Sequence, residues 1–319
     1  MIPFAPSLTV RPLAAEDGQG AAALIDQLLL RAPFSAPMND ADVAEHLFGQ
    51  SPSTMLPVRW QQRQLLGAWR AGDLVGLADI ATGLDSDSLS EPDYRPLGLL
   101  RFLALPPRAD LVAEAADVLL GAAHQFWRSS GVGYVKAYHI STGYPCFQAG
   151  AGVLPGDWAD QVRVLTERQF RFTQRYYLLA RQLDHMVEET VPQGGLSLAF
   201  RGDAVDRRYQ VFFRRTELIA EARLLQRQMQ GAWQDTEQAT NQLVPFSYIA
   251  HWSVDDRWRN QKVGRWLLRR MVNDATQQGV AEIAVHLPLH QSAAMNLLAQ
   301  HGFQELNYRG YSFEKDLAE

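Results

Sequence analysis

Cysteine is almost missing from this sequence. Cys146 is the single one in 319 residues, so no intrachain disulfide can form and a reducing compartment is expected. Basic charge is also short. Thirty Lys and Arg face 35 Asp and Glu, a formal net charge of −5, which argues against the basic surface that nucleic acid selects. Long hydrophobic runs are lacking too. The most apolar stretch, residues 97–105, is interrupted by Arg101 and is too short to cross a bilayer. Residues 1–12 have neither the basic start nor the apolar centre of a leader peptide, and no low-complexity segment occurs. Together these absences predict a soluble cytoplasmic protein with no nucleic-acid partner and no membrane partner.

What is present suits a globular chain of two domains: 47% of residues are hydrophobic and 20% charged. Leu8-Thr9-Val10-Arg11-Pro12 reads as a short strand. Asp17 is placed to cap a helix carrying Ala21, Leu24, Ile25, Leu28 and Leu29 at helical spacing. A short helix is expected over 40–48, and a hairpin over 64–80 turning at Ala71-Gly72-Asp73. A buried strand over 99–105, a long helix over 109–130 ended by Gly131, and a strand over 132–140 follow. The later part repeats this plan: a strand over 246–254, a helix over 263–278 ended by Gly279, and an alternating strand over 282–287. Ser292 is placed to cap a helix reaching His301, and a strand covers 308–317.

An internal repeat runs through this order. Leu119-Leu120 and Leu267-Leu268 lie 148 residues apart, as do Gly131-Val132 and Gly279-Val280. The segments 175–183 and 309–317 also match, at an offset of 134. The duplication predicts an N-terminal domain over 1–183, a linker over 184–195 and a C-terminal domain over 196–319. The second domain opens differently, with three consecutive strands over 196–200, 209–214 and 218–225 and no counterpart of the two early helices.

The segment between strand 246–254 and the helix after it carries the chemistry. It reads Val254-Asp255-Asp256-Arg257-Trp258-Arg259-Asn260-Gln261-Lys262-Val263-Gly264-Arg265. A helix start presents unpaired N–H groups and the positive end of the helix dipole, which favour anions. Gly264 lacks the Cβ that would block close approach of a phosphate. Arg259, Lys262 and Arg265 add positive charge within about a turn, a set suited to a diphosphate.

On these residues the chain resembles the GNAT acetyltransferase superfamily. Its strand-loop-helix motif has a valine, an arginine, then Arg-x-x-Gly-x-Gly/Ala opening a helix with a Leu-Leu pair. Val254, Arg259, Gly264, Leu267 and Leu268 fall in register, with Lys262 in place of the first glycine. Further on Ala294 and Gly302-Phe303 match, Gln291 replaces the family's asparagine and Leu298 its tyrosine. The resemblance implies an α/β (α+β) fold of two GNAT-like domains in tandem, each a mixed, largely antiparallel sheet flanked by helices. It implies acetyl-CoA (coenzyme A) as cofactor, bound by Trp252, Ser253, Val254, Arg259, Asn260, Gln261, Lys262, Val263, Gly264, Arg265 and Gln291, and an acetyl transfer to the amine of a small molecule. In the first domain the same register places Leu111, Val112, Ala113, Glu114, Ala115 and Ala116 in the loop, with Glu114 opposing a phosphate, so that copy is expected to be degenerate.

Direct attack by an amine requires loss of a proton, and His251, on the strand bordering the cleft, is the catalytic candidate. With Leu298 in the tyrosine position, the thiolate must leave unaided. A thiol pKa of roughly 8.5 makes that tolerable. The missing early helices place the expected acceptor site at the domain interface. Other residues have plainer readings. His286 and His290 lie on a strand and its exit, so no metal site is expected; Cys146 reads as a buried thiol. The arginines between Arg201 and Arg227 read as the solvated face of a hairpin. Trp252, Trp258 and Trp266 suit either a cleft or the core. Two rivals to the enzyme remain: a non-catalytic acyl-CoA sensor or interaction protein, and a pure scaffold. Oligomeric state is not legible.

Overall fold

The computed structural model describes residues 7–86, 89, 92–232 and 243–317; residues 1–6, which entered the leader reading, lie outside them. In chain order the elements are β1 (Thr9–Pro12), α1 (Gly18–Leu29), α2 (Asp40–Asp42, continued as a π-helical turn to Leu47), β2 (Val58–Arg70), β3 (Asp73–Asp85), β4 (Arg95–Ala104), α3 (Ala109–Ser129), β5 (Tyr134–Ala137), β6 (Leu154–Pro155), α4 (Ala159–Glu167) and β7 (Arg171–Gln182). Then come β8 (Leu196–Gly202), β9 (Asp206–Phe213), β10 (Glu217–Gln230), β11 (Leu243–Val254), α5 (Val263–Gln277), β12 (Glu282–Pro288), α6 (Ser292–Ala299) and β13 (Gln304–Asp316). No described helix is long and apolar enough to cross a membrane.

The chain forms two compact units, each a mixed, largely antiparallel sheet flanked by helices. Unit 1 holds residues 1–32, 37–175 and 310–319; unit 2 holds 33–36 and 176–309. In unit 1, β1, β2, β3 and β4 are antiparallel, β4 runs parallel to β5, and β5 pairs with the end of β13, Phe313 opposite Ala137. In unit 2, β8, β9, β10 and β11 are antiparallel, β11 runs parallel to β12, and β12 pairs with the end of β7, Glu282 opposite Gln182.

The compact units therefore do not follow the chain-order segments 1–183 and 196–319. The two segments that match in sequence, at the ends of β7 and β13, are exchanged: each fills the strand position beside the other copy's fifth strand. Their similar sequences offer the same ladder and the same alternation of side chains to either edge.

Local chemistry explains most boundaries. The β2–β3 turn holds Ala71 and Gly72 at φ of 51° and 94°, the pair of positive φ values that a two-residue hairpin needs. α5 lays Trp266, Leu267, Met271, Val272 and Ala275 on Ile249, Ile283 and Val285 to form the core of unit 2. Two expected caps are not made. Asp17 accepts from the Ala14 N–H and from Arg11 instead of the α1 backbone. Gln291, not Ser292, occupies the N-cap of α6. The strand expected over 132–140 shortens to β5 because Tyr138 turns away at φ 55°.

Candidate functional site

The site in unit 2 begins where two parallel strands part. β11 and β12 pair only through Phe246/Glu282, Ser247/Ile283 and Tyr248/Ala284. Beyond Tyr248, β11 stays with β10 while β12 stays with β7. A bulge in the β10–β11 register, which leaves Ala250 without an opposite residue, accompanies the parting. The main chain of 249–254 thus has an edge that β12 does not cover. A crevice at the C-terminal ends of parallel strands is a standard ligand position in sheets of this kind.

Side chains alternate along that edge. Trp252 and Val254 turn toward α5 and pack on the unit 2 core. His251 and Ser253 occupy the other face, with His251 Nε2 3.0 Å from Ser253 Oγ and 3.4 Å from Glu221 Oε1. Both His251 and Glu221 are largely buried, their side chains 16% and 13% exposed. Glu221 was invisible to sequence reasoning, because the cross-strand register that brings it beside β11 is set by the hairpin and its bulge.

The loop after β11 is a short 3₁₀ turn, Asp256–Trp258, followed by the start of α5. Asn260 and Lys262 are left-handed at φ of 64° and 66°, which accounts for glycine being usual where Lys262 stands. The Lys262 side chain is exposed and no side chain caps α5, so the first-turn N–H groups of Val263, Gly264 and Arg265 have no intrahelical acceptor. Val263 is buried in the core and offers only its main chain. A Cβ on Gly264 would stand 3.4 Å from Val254 Cγ2 and 3.5 Å from Trp252 Cζ2. The indole Nε1 of Trp252 is buried with no acceptor among the described residues.

The other expected residues are less available. Arg259 pairs with Asp256 at 2.6 Å in solvent. Gln261 donates to the Arg257 carbonyl at 2.9 Å. Arg265 reaches Gln300 Oε1 at 2.8 Å. Gln291 is exposed at the N-cap of α6. Leu298 is fully buried in the core and has no proton to give. Asp255 is held below the usual carboxylate range by its hydrogen bond from Arg257. From Asp255 to Arg265 the loop carries two acidic and four basic residues, a cationic balance. An uncapped helix start, a glycine at its mouth and an orphaned indole N–H together fit a diphosphate-bearing coenzyme.

Unit 1 parts its strands in the same way but fills the gap. β4 and β5 pair only through Gly98/Val135, Leu99/Lys136 and Leu100/Ala137, and the bulge there leaves out Arg101. The fully buried Arg101 side chain donates to the carbonyls of Thr142, His46 and Gly143 at 2.5, 2.7 and 3.0 Å. It lies 4.4 Å above the Tyr144 ring and meets Asp79 at 3.4 Å. Asp79 also accepts from Tyr144 Oη at 2.9 Å and from Arg63 at 3.2 Å. Glu114 is occupied by the Leu8 N–H at 2.9 Å. The sequence flagged Arg101 only as an interruption of an apolar run.

Residues 198–303 match the model of the acetyltransferase (GNAT) family. The matched segment lies within unit 2 and spans about a third of the chain. No curated protein sequence matches the chain. Among solved structures, a tandem GNAT protein of the clavulanic acid biosynthesis pathway superposes with TM-score 0.64 at 15% identity, covering 98% of this chain and 99% of that one. A GCN5-related glucosamine N-acetyltransferase region of a fungal multi-domain GH3 β-N-acetylglucosaminidase gives 0.68 at 13% identity over 97% of this chain, which spans only 38% of that protein. N-myristoyltransferase of Saccharomyces cerevisiae with bound myristoyl-CoA gives 0.56 at 9% identity, over 99% and 80% of the two chains. At these identities the likeness is one of fold.

Several open readings of the sequence are settled by the structure. Cys146 is buried, and burial pushes its thiol well up. Trp266 donates to Glu189 at 2.9 Å and Trp258 packs on Phe213. The arginine-rich hairpin is not solvated throughout as expected: Arg223 is buried against Asp206, and Arg207 is half-buried and pairs with the buried Asp274, because their partners lie across the sheet register and on α5.

Proposed function

We propose that unit 2 binds acetyl-CoA and catalyses acetyl transfer to the amine of a small molecule. One observation carries this reading: an uncapped, cationic helix start lies directly beyond the edge of β11 that β12 leaves open. Acetyl-CoA, when bound, supplies an acetyl group activated as a thioester. The N–H groups of Val263, Gly264 and Arg265 would hold its diphosphate, with Lys262 adding charge from its exposed position. The open main-chain edge around Trp252 and Val254 would take the amide-bearing arm, as a strand would.

His251 is the proposed base. Donation from its Nε2–H to Glu221 and Ser253 fixes the tautomer and leaves Nδ1 with a lone pair, which takes the proton of the acceptor amine. Glu221 acts through His251 and is a positioning residue. Arg101, by filling the equivalent gap, supports a unit 1 that holds no coenzyme.

The test uses the full chain in two steps. Acetyl-CoA should raise the melting temperature saturably, since a ligand specific for the folded state adds about 2.7 kcal/mol at a hundred times its Kd. Thiol release with a panel of amines should then follow, and His251→Gln should abolish it while leaving the melting shift intact. Buried Leu298, where the family has a tyrosine, favours one alternative, a non-catalytic acyl-CoA sensor. That reading predicts the melting shift with no thiol release from any amine.

A further inference from the structure

Unit 2 contains a cavity of about 450 Å³ lined by Arg181, Asp184, His185, Arg269, His301 and Gly302, among others. The loop residues Arg259 to Gly264 do not line it. Three arginines are buried in the described chain, and two of them meet a carboxylate: Arg101 meets Asp79 and Arg223 meets Asp206. Arg181, 7% exposed, has no carboxylate within ion-pair distance among the described residues. One donor, NH1, is used on the His301 carbonyl at 2.8 Å. Asp184 lies nearby, but its carboxylate pairs with His185 at 2.6 Å.

A second guanidinium approaches the same histidine. Arg269 Nε donates to His301 Nε2 at 3.1 Å, while His301 Nδ1 meets the Leu297 carbonyl at 2.8 Å. The carbonyl fixes the proton on Nδ1, so Nε2 accepts from Arg269 and the ring is neutral. Burial first, then the neighbouring arginines, hold the His301 pKa below its usual value. Gly302, at φ 77°, has no Cβ, and Arg181 lies against its open side, 3.7 Å from where one would stand. The wall of the cavity thus carries two guanidinium groups, and the one carboxylate that lines it, Asp184, is already paired with His185. Arg181 is buried and Arg269 half-buried, and the guanidinium fork matches an oxyanion with two parallel bonds.

We propose that this cavity is a second anion site, taking a small molecule that bears a phosphate or carboxylate group gripped between Arg181 and Arg269. It does not include the loop residues Arg259 to Gly264 and does not rest on the acetyl-transfer reading.

Calorimetry on the full chain tests this. Inorganic phosphate and acetate are titrated separately at constant ionic strength, with chloride as control. The expected result is saturable binding of one or both, weakened about tenfold or more by Arg269→Gln, the loss of a charged hydrogen bond. Which anion saturates identifies the group recognised. Arg181→Lys, which keeps the charge and removes the fork, should weaken binding as well, while acetyl-CoA affinity is unchanged in both variants. Arg269 is only partly buried on the helix surface, so that variant decides the matter if Arg181→Lys does not fold. No saturable binding of either anion, equal binding by the Arg269→Gln protein, or a parallel loss of acetyl-CoA affinity in it would each overturn the proposal.

Discussion

Removing the first 183 residues should unfold what remains, because unit 2 takes a strand from that segment. β7 supplies seven paired residues along β12, from Gln182 opposite Glu282 to Tyr176 opposite Pro288. It buries Leu178 at 0% and Leu179 at 1% exposure. Burial of a leucine contributes about 1.5–3 kcal/mol, so these two alone account for about 3–6 kcal/mol. Phe34, from the four-residue piece of unit 2 near the N-terminus, stacks on Phe246 at 4.3 Å, worth about 0.5–1.5 kcal/mol beyond its area. The sum is comparable with the whole stability of a domain, about 5–15 kcal/mol, before the uncovered β12 edge is considered. A fragment of residues 196–319 should therefore show no cooperative urea or thermal transition, whereas residues 176–309 should show one. A cooperative transition for 196–319, with acetyl-CoA bound as tightly as by the full chain, would refute the assignment of β7 to unit 2.

Four further outcomes are expected. Gly264→Ala should raise stability by about 0.5–1 kcal/mol and leave acetyl-CoA binding unchanged, since the added methyl would meet Val254 Cγ2 and Trp252 Cζ2 at ordinary contact distances of 3.4 and 3.5 Å. Melting curves and acetyl-CoA titration read both. Asp79→Asn should destabilise unit 1 by about 3–5 kcal/mol, since it strands the fully buried Arg101; the double variant Asp79→Leu/Arg101→Met should cost less than Asp79→Leu alone in urea denaturation. Burial holds His286 down to about 3, against about 6.5 unfolded. The unfolded chain therefore binds the extra proton between these values, so this contribution is complete above pH 6.5 and is lost toward pH 3 at about 1.4 kcal/mol per pH unit. Denaturation at pH 7, 6 and 5 should show that slope, and His286→Phe should lack it. Glu221→Gln should lower kcat about tenfold and shift the pH profile with the KM for acetyl-CoA unchanged; an unmoved profile removes Glu221 from its positioning role.

The sequence by itself determined the elements and the loop. Period-two and period-3.6 patterns placed most strands and helices, because burial of one face is a local property of consecutive residues. The register of Val254, Arg259, Gly264 and the Leu-Leu pair located the helix mouth for the same reason, since its chemistry lies in one contiguous turn. Even the match between the ends of β7 and β13 was legible. What the match meant was not. A strand's alternation fixes which side chains point inward but not which of two like edges it joins, and β5 and β12 offer the same hydrogen-bonding ladder. Only the tertiary structure decided that β7 completes unit 2 and β13 completes unit 1. It alone brought Glu221 to His251, set Arg101 into the gap beside β4, and placed Arg181 and Arg269 together at the wall of a cavity. Each of these pairings joins residues distant in sequence, through registers and crossings that no local pattern encodes.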